Sequence, residues 1–135
     1  YIADYCHEND INTVVVGDIR GIRENKNIGR NNQQLHSLPY KIVYSLLDYK
    51  LRLYGIEMVK QKEYYSSKCS PNSKDISKKY ASKTNRKHRG LYVDGNNIYN
   101  ADCVGAYNIL RLYLKKMKKD HIDYGNLCSP INVTV

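Results

Sequence analysis

Long apolar runs are missing from this chain of 135 residues. None approaches the ~20 residues that a membrane-crossing helix needs, and no basic-then-apolar leader opens the sequence. The expected setting is therefore the cytoplasm, with no membrane partner. Closely spaced cysteine pairs are missing too. Cys6, Cys69, Cys103 and Cys128 are scattered along the chain, which argues against both a disulfide framework and a complete zinc site and leaves four reduced thiols. Tryptophan and phenylalanine are absent, so the aromatic residues are all tyrosine, fourteen in number. No internal repeat is visible, and the length suits one domain or part of one.

Acidic residues are also few. Thirteen face twenty-two lysines and arginines, for a net charge of +9. The excess is concentrated between Lys60 and Arg89. Lys60, Lys62, Lys68, Lys74, Lys78, Lys79, Lys83, Arg86, Lys87 and Arg89 meet only Glu63 and Asp75 there. A basic stretch of this kind suits a polyanion, and Tyr64, Tyr65, Tyr80 and Tyr92 add stacking faces to the phosphate contacts. The competing reading is a solvated loop with no partner.

The apolar pattern gives a coarse order of elements. Tyr1 to Asn9 reads as the end of a helix with Ile2, Tyr5 and Cys6 on one face. Thr13-Val14-Val15-Val16 is a β-branched run typical of a central strand buried on both faces. Asp18 to Leu38 has no apolar period and reads as a long connection. Pro39 can open a helix, with Val43, Leu46, Leu47, Leu51 and Tyr54 as its apolar face and Gly55 just past its end. Ile56 to Val59 is again extended, so strand, crossover helix and strand make a right-handed parallel unit.

Further on, Leu91-Tyr92-Val93 and Ile98-Tyr99 flank Asp94-Gly95-Asn96-Asn97, a hairpin turn. Asp102 then suits a helix N-cap. In the helix that follows, Ala106, Ile109, Leu110 and Leu114 share a face. Gly105 and Ala106 permit close approach to a sheet, and Tyr107 and Asn108 are expected on a nucleic-acid side. The tail from Lys118 says little.

Several stretches together resemble one family: "VVVGDIRGIREN", "NNQQLHSLPY", "YKLRLYGIEMV", "EYYSSKCS", "NRKHRGLYV" and "NADCVGAYNIL". In this order and spacing they look like the C-terminal half of TnpB-type (OrfB) proteins of insertion sequences, relatives of type V CRISPR effectors. The resemblance implies an α/β fold: a partial RNase H-like (RuvC) domain with parallel strands and a crossover helix, interrupted by a degenerate zinc-ribbon-like β-hairpin. On that reading residues 1–60 are the first part of the nuclease half. Residues 61–100 are the basic insertion, 101–117 the final RuvC-like helix and 118–135 the tail.

The same resemblance implies partners and chemistry. The partners are DNA, a guide RNA and the missing N-terminal part of the same protein. The chemistry is phosphodiester hydrolysis at carboxylates that hold Mg²⁺. The family's third carboxylate falls in the "NAD" element, on Asp102. The first belongs to a Gly-x-Asp strand that no residue of this chain supplies, so the Mg²⁺ site is complete only in a full-length assembly. The second usually ends the strand read here as Val14-Val15-Val16, where this chain has Gly17. Glu63 after the next strand, Asp18 beside Gly17 and Glu24 on the loop are the substitutes, so Glu63 joins Asp102 as an expected Mg²⁺ ligand.

No zinc is expected. Cys69 stands alone, Asn72 sits where its partner would be, the hairpin has no cysteine, and His88 with one cysteine does not close a tetrahedron. Arg20, Arg23 and Arg30 are candidate phosphate contacts beside Lys74, Lys78, Lys79, Lys83, Arg86, Lys87 and Arg89. Two functions compete: a C-terminal fragment of an RNA-guided DNA endonuclease, and a catalytically incomplete nucleic-acid-binding module or mobile-element remnant.

Overall fold

The computed structural model describes residues 1–18, 30–88, 90–120 and, in the tail, 122, 123, 125, 127, 128 and 130; at 30–39 and at His88 it describes the backbone alone. The chain divides into two compact units, Tyr1–Lys60 and Gln61–Val135.

The first unit is built from α1 (Ile2–Glu8), β1 (Thr13–Gly17), α2 (Arg30–Leu53) and β2 (Glu57–Gln61). The two strands pair in a parallel sheet, with α2 as the crossover. β1 is half-buried along its whole length, short of the two-sided burial expected of a central strand. Among the described residues β2 is its one sheet neighbour, which leaves β1 at an edge. α2 begins at Arg30, nine residues before Pro39, so most of the second half of the expected loop is helix. Pro39 lies in the helix interior, with no N–H to give to the carbonyl of residue 35.

The core of this unit is small and aliphatic. Ala3, Cys6, Leu51 and Ile56 are buried, with Ile11, Val14, Leu47 and Met58 packed around them. The expected apolar face of α2 therefore splits: Leu51 and Leu47 point inward, whereas Val43, Leu46 and Tyr54 are exposed. Ile2 and Tyr5 of α1 are exposed as well. Helix ends fix the path of the chain. Past α2, Gly55 at φ 70° lets its own N–H bond to Arg52 O and the N–H of Ile56 to Leu51 O, both at 3.0 Å. This is a Schellman motif, and it brings Ile56 onto Leu51 in the core. Asp10 at φ 53° closes α1 in the same way, sending the Ile11 N–H to Cys6 O at 2.8 Å.

The second unit has a three-stranded antiparallel sheet in the order β3 (Arg86–His88), β4 (Leu91–Asp94), β5 (Asn97–Asn100). α3 (Ala101–Lys116) follows β5 directly. The hairpin expected at Asp94-Gly95-Asn96-Asn97 is present: Asp94 pairs with Asn97 across Gly95 and Asn96. Gly95 takes φ 58°, a conformation that costs a residue with a Cβ about 1–2 kcal/mol.

Tyr92, Tyr99, Ala101, Val104, Tyr107 and Leu127 form the core cluster. Leu127 shows that the tail contributes to the fold, and its carbonyl also accepts from the Asn100 N–H at 2.8 Å. The buried positions of α3 are Ala101, Val104, Tyr107, Asn108 and Leu114. That face is rotated from the expected one, and Ala106 is exposed. Tyr107 and Asn108 thus point inward, not toward a nucleic acid. A Cβ at Gly105 would meet nothing within 4 Å, so no close helix-to-sheet approach depends on that glycine. α3 ends as the other helices do, with Lys118 at φ 53° and the Lys119 N–H on Leu114 O at 3.0 Å.

Candidate nucleic-acid interface

The basic segment has few residues that can form an apolar core, yet it is folded, because polar side chains hold its backbone. Asn108 of α3 is fully buried. Its Nδ2 donates to Ser66 O and to Cys69 O, both at 2.8 Å. One turn on, Arg111 donates from Nη1 to Asn108 Oδ1 at 3.1 Å and to Ser70 O at 3.3 Å, and from Nη2 to Ser73 O. Two neighbouring side chains of one helix thus donate to the carbonyls of Ser66, Cys69, Ser70 and Ser73, and a buried carbonyl left without a donor costs about a lost hydrogen bond.

The hairpin is tied to the same turn. Ser70 Oγ donates to Asp94 Oδ2, and Asn72 Nδ2 donates to Tyr99 OH at 2.8 Å. Tyr92 OH donates to Lys68 O at 3.2 Å. Burial pushes the Tyr92 phenol up from its ordinary pKa, keeping the proton on the donor. Cys69 is buried, its Sγ lies 3.5 Å from Ser77 O, and burial raises its thiol pKa as well. Sequence reasoning missed Arg111 and Ser70, placed Asn108 on a nucleic-acid side and read Asp94 only as a turn residue. The one available signal was the pair Asn108 and Arg111, polar residues three apart on a helix face that is otherwise apolar.

This scaffold displays the charge. Lys74, Lys78, Lys79, Lys83, Arg86 and Lys87 are all exposed. Nearby acids are engaged by cations. Asp75 accepts from Lys115 Nζ at 2.8 Å, which with the Ile76 N–H holds its carboxyl below the usual range. Arg20, Arg23, Glu24 and Arg89 lie outside the described residues, as does the side chain of Arg30, the first residue of α2.

The expected carboxylates occupy different places. Asp102 is not the N-cap of α3. Asn100 is, with Oδ1 accepting from the N–H groups of Asp102 and Cys103 at 3.0 and 3.1 Å. Asn competes as well as Asp for that role and here stands two residues earlier. Asp102 sits in the first turn, its side chain 84 % exposed and its Oδ1 3.6 Å from Arg86 Nη2. Glu63 is half-buried two residues beyond β2, and Asp18, in the first unit, is half-buried directly after β1. Among the described residues no three His, Cys, Asp or Glu side chains gather where they could hold a metal ion. The described residues therefore do not fit a complete Mg²⁺ site.

No described helix is long and apolar enough to cross a membrane. No curated protein matches the chain at a significant level. Among solved structures, a chain of the cryo-EM structure of the Cas12f1–sgRNA–target DNA complex is similar, with a TM-score of 0.57 and 23 % identity. The match covers 80 % of the present chain and 30 % of that one, so the chain spans about a third of that structure's length. The family described as Cas12f1-like, TNB domain, matches residues 40–109, just over half of the sequence and all of the polar scaffold from Ser66 to Asn108. This bears out the sequence resemblance at the level of a TnpB- and Cas12f-type relative: the chain belongs to the Cas12f1-like TNB-domain family.

Proposed function

We propose that this chain is the C-terminal part of an RNA-guided DNA endonuclease of the Cas12f1-like type, with an RNase H-like first unit and a nucleic-acid-binding second unit. The observation that carries the reading is the array of exposed cations, Lys74, Lys78, Lys79, Lys83, Arg86 and Lys87, held on a folded, hydrogen-bonded frame. A frame of this kind presents phosphate contacts at fixed positions, so less ordering entropy is lost on binding. The similar Cas12f1 chain belongs to a complex with sgRNA and target DNA, which supports both nucleic acids as partners.

Asp102 is the residue that a metal-dependent site would draw on in this unit, because it is exposed on a rigid helix start. No trio of ligands gathers among the described residues, so hydrolysis would need carboxylates beyond them. The second reading, a catalytically incomplete binding module, is favoured by that same observation.

Fluorescence anisotropy of labelled duplex and RNA tests the binding. Lys83→Ala with Lys87→Ala should weaken both by a similar factor whatever the sequence, because phosphate contacts carry no base information. Unchanged affinity would remove the segment from the interface. Assembly of the chain with the N-terminal part of a family member and a guide RNA, followed by incubation with Mg²⁺ and target DNA, separates the two readings. Cleavage abolished by Asp102→Ala supports the nuclease, and intact DNA supports the binding module.

A further inference from the structure

We propose that the outward face of α2 is a docking seam for an amphipathic helix of a partner protein, one whose edges are acidic. The proposal concerns the first unit and does not depend on the nucleic-acid reading above. Ile42, Leu46, Tyr49 and Leu53 are 53–62 % exposed. Their spacing of four, three and four residues sets them in one line along the helix, ~17 Å long by the rise of an α-helix. The line runs on the side opposite Leu47 and Leu51, the positions that α2 gives to the core. The helix thus has two apolar sides, and among the described residues the core uses one of them.

Spacing and charge together select the occupant. An apolar line at the heptad interval is the seam of a helix pair, narrower than the broad face that a helix lays on a bilayer. Lys50 borders the line on one edge, Arg52 and Lys41 on the other, and all three are exposed. The acid beside them, Asp48, is ion-paired with Arg52 at 3.0 Å within α2 itself. Lys50 Nζ lies 5.8 Å from the centre of the Tyr49 ring, so its charge stands against the seam. A helix with Glu or Asp at its edge positions meets opposite charge on both sides, the arrangement that sets partner choice in coiled coils. A second copy brings no acid to those edges, since its own carry Val43, Ser45 and the same cations. A duplex would meet the cations and leave the apolar line in water.

Two designed three-heptad peptides test the seam, both with Leu at the apolar positions, one with Glu and one with Lys at the edge positions. Like charges at the edges keep each peptide from pairing with itself. Titrated into the methyl-labelled full chain, the Glu-edged peptide should shift the signals of Ile42, Leu46 and Leu53 and bind about tenfold tighter than the Lys-edged one. Leu46→Glu, an exposed change that should leave the melting temperature in place, should abolish the shifts, and Lys50→Glu should narrow the preference between the peptides. Silent methyls overturn the seam, and equal binding of the two peptides overturns the acidic edges. A concentration-dependent dimer that Leu46→Glu dissolves overturns the partner in favour of a second copy. Equal shifts with phosphatidylglycerol vesicles overturn it in favour of a membrane. Peptide binding blocked by the N-terminal part of a family member, added separately, overturns it in favour of a contact within one protein.

Discussion

The two units solve the problem of a small core in different ways. In residues 1–60 the buried cluster is aliphatic and thiol, Ala3, Cys6, Leu51 and Ile56, and Schellman turns at Asp10 and Gly55 steer the chain back onto it. In residues 61–135 three of the six cluster residues are tyrosines, and their hydroxyls leave the core to hold backbone or side chains: Tyr92 on Lys68 O, Tyr99 with Asn72, Tyr107 on Ile122 O. Phenylalanine could fill the same volume but could not hold the loops. The contrast ties a composition without phenylalanine to a basic segment that must be ordered without an apolar core of its own.

On that contrast, the costliest substitution in the second unit is a polar one. Asn108→Ala strands the buried carbonyls of Ser66 and Cys69, each at about 1–3 kcal/mol, for a loss of roughly 4 kcal/mol. Chemical denaturation should show it, and hydrogen exchange should place the lost protection at residues 66–73. A loss below about 1 kcal/mol would mean that packing, not these bonds, holds the segment. In the first unit the costliest change is apolar: Leu51→Ala, at a fully buried position, should cost about 3 kcal/mol by cavity formation. Exchange protection in residues 47–58 reads it.

A smaller effect should follow pH. Asp75 has its folded pKa lowered, first by Lys115 and then by the Ile76 N–H. Its contribution is fully present above the unfolded carboxyl pKa of about 3.9 and is lost as pH falls through the lower folded value. The melting temperature of the wild type should therefore exceed that of Asp75→Asn at pH 7, and the gap should close on acidification below pH ~4. The smallest change expected is a gain. Lys118 holds a left-handed conformation after α3, so Lys118→Gly should stabilise by roughly 0.5–1 kcal/mol, seen as a slightly higher melting temperature.

What was legible in the sequence was the part written in apolar period and turn chemistry. β1 from its β-branched run, the hairpin from Asp94-Gly95-Asn96-Asn97 and the helix after it are found where the pattern puts them. The first turns of α2 were not legible, because "RNNQQLHSLP" has no apolar stripe and carries a proline that usually marks a boundary. Nor was the order of residues 62–85, since hydrogen bonds from Asn108, Arg111 and Tyr92 to main-chain carbonyls leave no periodic trace. At the candidate site the family resemblance picked out Asp102, but its neighbour Asn100 took the capping role that the pattern assigned to Asp102. Arg86, counted only among the basic residues, proved to be its ion partner.

In the proposed function a polar-stapled frame presents the cations of residues 74–87 to nucleic acid. The salt dependence of duplex binding reads this out. With several of the six exposed cations releasing counterions, log K should fall linearly against log salt with a slope of about −3 to −5. Lys83→Ala with Lys87→Ala should make that slope shallower by about two. A slope near zero, or one untouched by the double substitution, would mean that these cations do not meet the phosphates.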